Sequence, residues 1–95
     1  MISVVAKIYA KEGKEELLYP ILKTLLMPTR RESGCICYEL HRSLEDPKLF
    51  MFYEKWESRD HLQLHLETPH IQNAFQKATD LLAVPVKIEY FSAPE

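Results

Sequence analysis

Apolar and polar positions alternate through the first segment, ISVVAKIYA, which is rich in β-branched residues and stops at the turn KEGKEE. A strand is predicted there, over residues 2 to 10. From about Lys14 the period changes. Leu17, Leu18, Ile21, Leu22, Leu25 and Leu26 recur at helical spacing, with Glu15 and Glu16 in the first turn, where acids favour the positive end of the helix dipole. Pro20 and Pro28 each remove a backbone donor, so a kink is expected at the first and a distorted end near the second. Gly34 then closes the helix and releases the chain into a second strand, CICYELHR, residues 35 to 42. SLEDPK reads as a turn, and LFMFYEKWE as a third strand over 49 to 57, hairpinned to the second. Ser58 suits a helix N-cap. That helix must stop near Thr68, because a residue before proline avoids helical angles. Thr68 and Pro69 open a third helix, with Ile71, Ala74, Phe75, Ala78 and Leu82 on one face. VPVKIEYF, residues 84 to 91, is the fourth strand, and Pro85 marks it as an edge strand or a strand start.

The order β-α-β-β-α-α-β is a ferredoxin-like split βαβ pattern, an α+β fold. Helices suffice to cover one sheet face. Ile2, Val4, Ala6 and Ile8 lie on one side of the first strand, and Val5 and Tyr9 on the other; Phe50 and Phe52 oppose Met51 and Tyr53. Strands apolar on nearly every position of both faces call for a second cover, and a homodimer packed sheet to sheet supplies it.

Bulk numbers bound the rest. Ninety-five residues suit a single domain, 1–95, and 46% hydrophobic residues suit a packed core. A net charge of −2 with interspersed signs makes no electrostatic case for nucleic acid. No apolar run reaches the ~20 residues that cross a membrane, and no basic-then-apolar leader opens the chain. Cys35 and Cys37, two apart on a strand, point to one face as free thiols and match no redox or zinc spacing. A cytoplasmic location is the expectation.

The densest chemistry lies in EKWESRDHLQLHLETPH, residues 54 to 70. His61 and His65 share a helix face, but Leu62 stands where the zinc-protease motif needs a glutamate, and the break at Thr68-Pro69 takes His70 off that face. No metal site is expected. Glu54 and Trp56 point the same way as Phe50 and Phe52, and a carboxylate on an apolar face is costly unless paired. If the following helix returns His65 over that face, with His70 nearby, an acid, an indole and an imidazole line one apolar cavity. The alternative is that Glu54 pairs with Arg42 or Lys55 and Trp56 fills the core.

The segments EGK, PTRRESGCICYELHR and FMFYEKWESRDHLQLHLETPHIQNAF, with the spacing E-x-W-x(8)-H-x(4)-H over Glu54, Trp56, His65 and His70, resemble the antibiotic biosynthesis monooxygenase family. The resemblance is closest to its small bacterial quinol monooxygenase-like members. It implies a dimeric α+β barrel with a pocket in each subunit, and oxidation of a small phenol or quinol by molecular oxygen with no cofactor. In such chemistry the substrate supplies the electron, which a phenolate does better than a phenol, so a base must reach the hydroxyl between dry apolar walls. His65 is the expected base, with His70 second; Glu54 and Tyr38 orient; Trp56, Phe52 and Phe75 wall an aromatic ring. His61 is expected at the surface. Haem-degrading relatives place a histidine ligand where Phe75 stands, so haem degradation is not expected. Two other functions share the scaffold: an isomerase or tautomerase of a small carbonyl compound, and a non-catalytic dimeric small-molecule-binding stress protein.

Overall fold

The computed structural model describes residues 1–94. Four antiparallel strands form one sheet: β1 Ile2–Tyr9, β2 Cys35–Arg42, β3 Leu49–Trp56 and β4 Lys87–Ser92, in the order β2-β3-β1-β4. This is the ferredoxin-like α+β topology. Helices α1 Glu15–Lys23, α2 Leu26–Arg30, α3 Arg59–Leu66 and α4 Pro69–Ala78 join them, with a 3₁₀ turn at Thr79–Leu81. None of the described helices is long and apolar enough to cross a membrane.

Strand parity decides what the helices cover. Along β3, Phe50, Phe52, Glu54 and Trp56 are buried and the residues between them are only half-buried. Val4, Ala6 and Ile8 of β1 lie opposite Glu54, Phe52 and Phe50 on the same face. Leu18, Leu22, Leu62, Ile71, Ala74 and Ala78 close the core from the helices. The second face is more polar than the sequence suggests. Val5, Tyr9, Met51, Tyr53 and Phe91 do lie there, but with Lys7, Lys55, Glu39, His41 and Glu89 between them.

The two prolines act at different points of the helix. α1 runs through Pro20 without ending, and the interruption falls at Thr24–Leu25. Pro28 lacks the N–H that would bond the Thr24 carbonyl, and its ring crowds that carbonyl, so the helix divides four residues ahead of it. Pro85 likewise delays β4, which starts at Lys87 rather than at 84 and lies at the sheet edge. A bulge between Cys35 and Cys37 inserts Ile36 and shifts the parity. Cys35 therefore pairs with Trp56 on the helix face and Cys37 with Lys55 on the opposite face, not on one face as alternation implies.

Gly34 adopts φ +84°, a left-handed conformation that follows α2 and turns the chain into β2. A side chain at this position would collide with the His61 ring, so the glycine is needed for space as well as for angle.

Candidate active site

Four elements converge on one imidazole. β3 presents Glu54 and Trp56 inward, and the indole Nε1–H donates to Glu54 Oε1 at 2.9 Å. The Ser58 hydroxyl accepts the His61 N–H and starts α3 in the register that turns Leu62 and His65 to the core. The His65 ring, 1% exposed, packs on Trp56 with centroids 4.6 Å apart and meets Tyr38 of β2 edge-on at 5.4 Å. Thr68 does not cap α4 with its side chain; its hydroxyl donates back to the His65 carbonyl at 2.8 Å. The tight turn this makes lets His70, at the start of α4, return to the cluster.

The residue that joins the cluster is Glu32, in the turn between α2 and β2. Its carboxylate lies 3.0 and 3.1 Å from His65 Nδ1 and 2.6 Å from His70 Nε2. A carboxylate only accepts, so the network assigns the hydrogen to Nδ1 of His65 and leaves Nε2 of the neutral ring as an acceptor. That Nε2 faces Glu54 Oε1 at 4.0 Å.

Burial sets the electrostatics. It pushes the Glu54 carboxyl up to about 7, with Glu32 adding to the rise and the indole N–H opposing it. Burial also lowers His65; Glu32 opposes that shift and His70 adds to it. The Tyr38 hydroxyl is raised by burial and by Glu54, and the Cys35 thiol is pushed up to about 11, chiefly by burial. At neutral pH the cluster holds an unprotonated imidazole nitrogen facing a carboxyl poised to hold or release a proton. Such a pairing of groups has the chemistry to move a proton.

Of the residues expected from sequence, His65, His70, Glu54, Trp56 and Tyr38 meet here. Phe52 stands one layer behind, stacked on Tyr38 at 4.9 Å. Phe75 is not brought to the cluster: it lines a separate cavity of about 450 Å³ with Leu82, Val84 and Val86. His61 is half-buried rather than a surface residue, held against Gly34 with Nδ1 2.7 Å from the Ser58 hydroxyl. Arg42, offered as a partner for Glu54, binds Glu16 instead at 2.7 Å. The imagined open cavity is filled, because the indole itself covers the imidazole. Two cavities border the cluster. One of about 240 Å³ reaches His70 beside Thr24, Asn73 and Lys77; the other, about 250 Å³, reaches Tyr38 and Cys35 beside Arg30.

Glu32 was missed by sequence reasoning. It follows two arginines in a turn, where a solvated acid is the ordinary reading. Its partners stand 33 and 38 residues away, so no local spacing announces it.

The sequence profile of the family described as "Antibiotic biosynthesis monooxygenase" matches residues 1–77. The chain is 33% identical over 94 residues to "Uncharacterized protein sll1783" of Synechocystis sp., covering 99% of this chain and 64% of that one. It therefore spans somewhat less than two thirds of that relative's length. It is 31% identical over 87 residues to "Putative monooxygenase Rv0793" of Mycobacterium tuberculosis, covering 92% and 85% of the two chains. The crystal structure of PA3566 from Pseudomonas aeruginosa superposes with a TM-score of 0.92 at 32% identity, over 99% of this chain and 94% of that one.

Proposed function

The chain belongs to the antibiotic biosynthesis monooxygenase family, and on that footing we propose that it oxidises a small phenol or quinol with molecular oxygen and without a cofactor. The observation that carries the reading is the Glu32–His65 pair. Glu32 fixes His65 in the tautomer whose Nε2 can take a proton, among Trp56, Tyr38 and Glu54.

The chemistry follows from that nitrogen. Nε2 takes the phenol proton, and the phenolate passes one electron to oxygen. The radical pair joins at a ring carbon as a peroxide anion, which takes the imidazolium proton to become a hydroperoxide. The ring C–H proton and hydroxide then leave together as water, and a quinone remains. One oxygen atom enters the ring, the other leaves as water, and the substrate supplies all four electrons. Trp56, Tyr38 and Phe52 keep the surroundings dry. Because His65 is 1% exposed, a ring reaches Nε2 only when side chains at the bordering cavities give way.

We propose further that the protein is a cytoplasmic homodimer joined through the open sheet face. Two free thiols fit a reducing compartment. Across that face Glu39, Tyr53, Val5 and Glu89 form one row, and His41, Met51, Lys7 and Lys87 the next. A two-fold axis can lay the acidic row of one copy over the basic row of the other, with the apolar residues between. Sedimentation should show a dimer that Val5→Asp dissociates; a wild-type monomer at every concentration rules this assembly out.

Oxygen uptake by chelator-treated protein, with hydroquinones and dihydroxynaphthalenes, tests the activity. Uptake well above that of His65→Ala at equal concentration is expected. No difference across the panel refutes the oxygenase reading.

A further inference from the structure

We infer that Glu32, His65 and His70 form a binding site for a divalent late first-row transition-metal ion such as Zn²⁺, and that the ion and the hydrogen-bond network are alternative states of the cluster. One oxygen and two imidazole nitrogens converge: Glu32, His65 and His70 each offer one donor atom, and the three lie within 4.8 Å of one another. The contacts to Glu32 are 3.0 and 2.6 Å. Around tetrahedral zinc, with bonds of about 2.0–2.1 Å, neighbouring donors stand about 3.4 Å apart. Side-chain shifts of an ångström or less convert the hydrogen-bonded cluster into a coordination set. Two imidazoles with one carboxylate favour zinc, nickel, cobalt or copper over magnesium and calcium. Three protein donors leave a fourth position for water.

The surroundings supply what such a site needs. His70 keeps a quarter of its side chain exposed (26%) at the cavity beside Thr24 and Asn73, so an ion can arrive from solvent without unfolding the core. Metal-bound histidines are generally oriented by an acceptor at the second ring nitrogen. Glu54 Oε1, 4.0 Å from His65 Nε2, stands in that place.

The consequence concerns the tautomer. A metal on Nδ1 displaces the hydrogen that Glu32 now accepts, and the neutral ring must carry its hydrogen on Nε2. Nε2–H then points at Glu54 and can no longer take a proton. On the oxygenase reading, on which this one consequence rests, metal binding switches the base off.

Isothermal titration of chelator-treated protein with ZnCl2 tests the site. One equivalent should bind saturably, and His70→Ala and Glu32→Gln should each weaken it about tenfold or more. His41→Ala, at an exposed pair elsewhere, should leave binding unchanged. No saturable binding, binding retained in both variants, or binding lost in His41→Ala overturns the proposal. Should Glu32→Gln fail to fold, as circular dichroism would show, His70→Ala decides alone. Nitrogen-15 spectra of the His65 ring read the tautomer: Nε2 should change from unprotonated to protonated on adding zinc, and an unchanged Nε2 signal overturns the switch. None of these readouts needs turnover, so they stand or fall separately from the oxygenase reading.

Discussion

Two histidine–glutamate pairs of nearly equal length lie in different surroundings. His65 Nδ1 and Glu32 are 3.0 Å apart, with side chains 1% and 14% exposed. His41 Nε2 and Glu39 are 2.9 Å apart, each 52% exposed. At the surface, the His41 ring and the Cys37 thiol hold the Glu39 carboxyl below the usual range, and solvent screens the rest. In the core, burial outweighs the partner and lowers His65 although Glu32 stands beside it. Distance alone does not distinguish a desolvated pair from a solvated one. Desolvation does.

Substitutions can break or sharpen that contrast. The largest effect is expected for Trp56→Ala, which removes the fully buried indole that roofs His65. It should cost about 3–5 kcal/mol in urea unfolding, and a loss below about 1 kcal/mol would mean that the cluster is loosely packed.

Next comes the pH dependence of Glu54. Its carboxyl is raised in the folded state to about 7, against about 4.3 unfolded. Its contribution to stability is therefore full below about pH 4 and lost as pH rises through about 7. His65 runs oppositely. A depressed imidazole contributes fully above its unfolded value of about 6.5 and loses that contribution as pH falls below it. Glu54→Gln keeps the acceptor for Trp56 and removes the carboxylate. It should gain stability over the wild type between pH 5 and 8 by roughly 3 kcal/mol, read from urea midpoints at the two pH values. A parallel pair of curves would show that Glu54 ionises freely. The smallest effect belongs to the exposed pair: Glu39→Gln should leave the unfolding midpoint unchanged within error at both pH values, and a clear shift would show that screening is weaker there than argued.

The hydrophobic rhythm announced the strands, because β3 is buried at every second residue and its neighbours follow the same parity. Ser58 and Pro69 announced helix starts for local reasons that the structure keeps. What stayed hidden was tertiary or depended on a single inserted residue. Ile36 shifts the parity of β2, so counting from Cys35 places Cys37 on the wrong face. Glu32 owes its role to partners on α3 and α4, and nothing within its own turn marks it. Phe75 was expected as a pocket wall through the family resemblance; its helix periodicity fixes a face and not the neighbour met across it.

The strand order has a kinetic consequence. Only β2 and β3 are joined as neighbours along the chain, whereas β1 pairs with β3 on one side and β4 on the other. Ile2 lies opposite both Trp56 and Ser92, so the central strand finds its partners across half of the chain and almost all of it. The β2–β3 hairpin can zip early, but the sheet closes only after these long loops have been drawn together. Folding should therefore be paced by the search for β1, in the slower range that non-local pairing imposes.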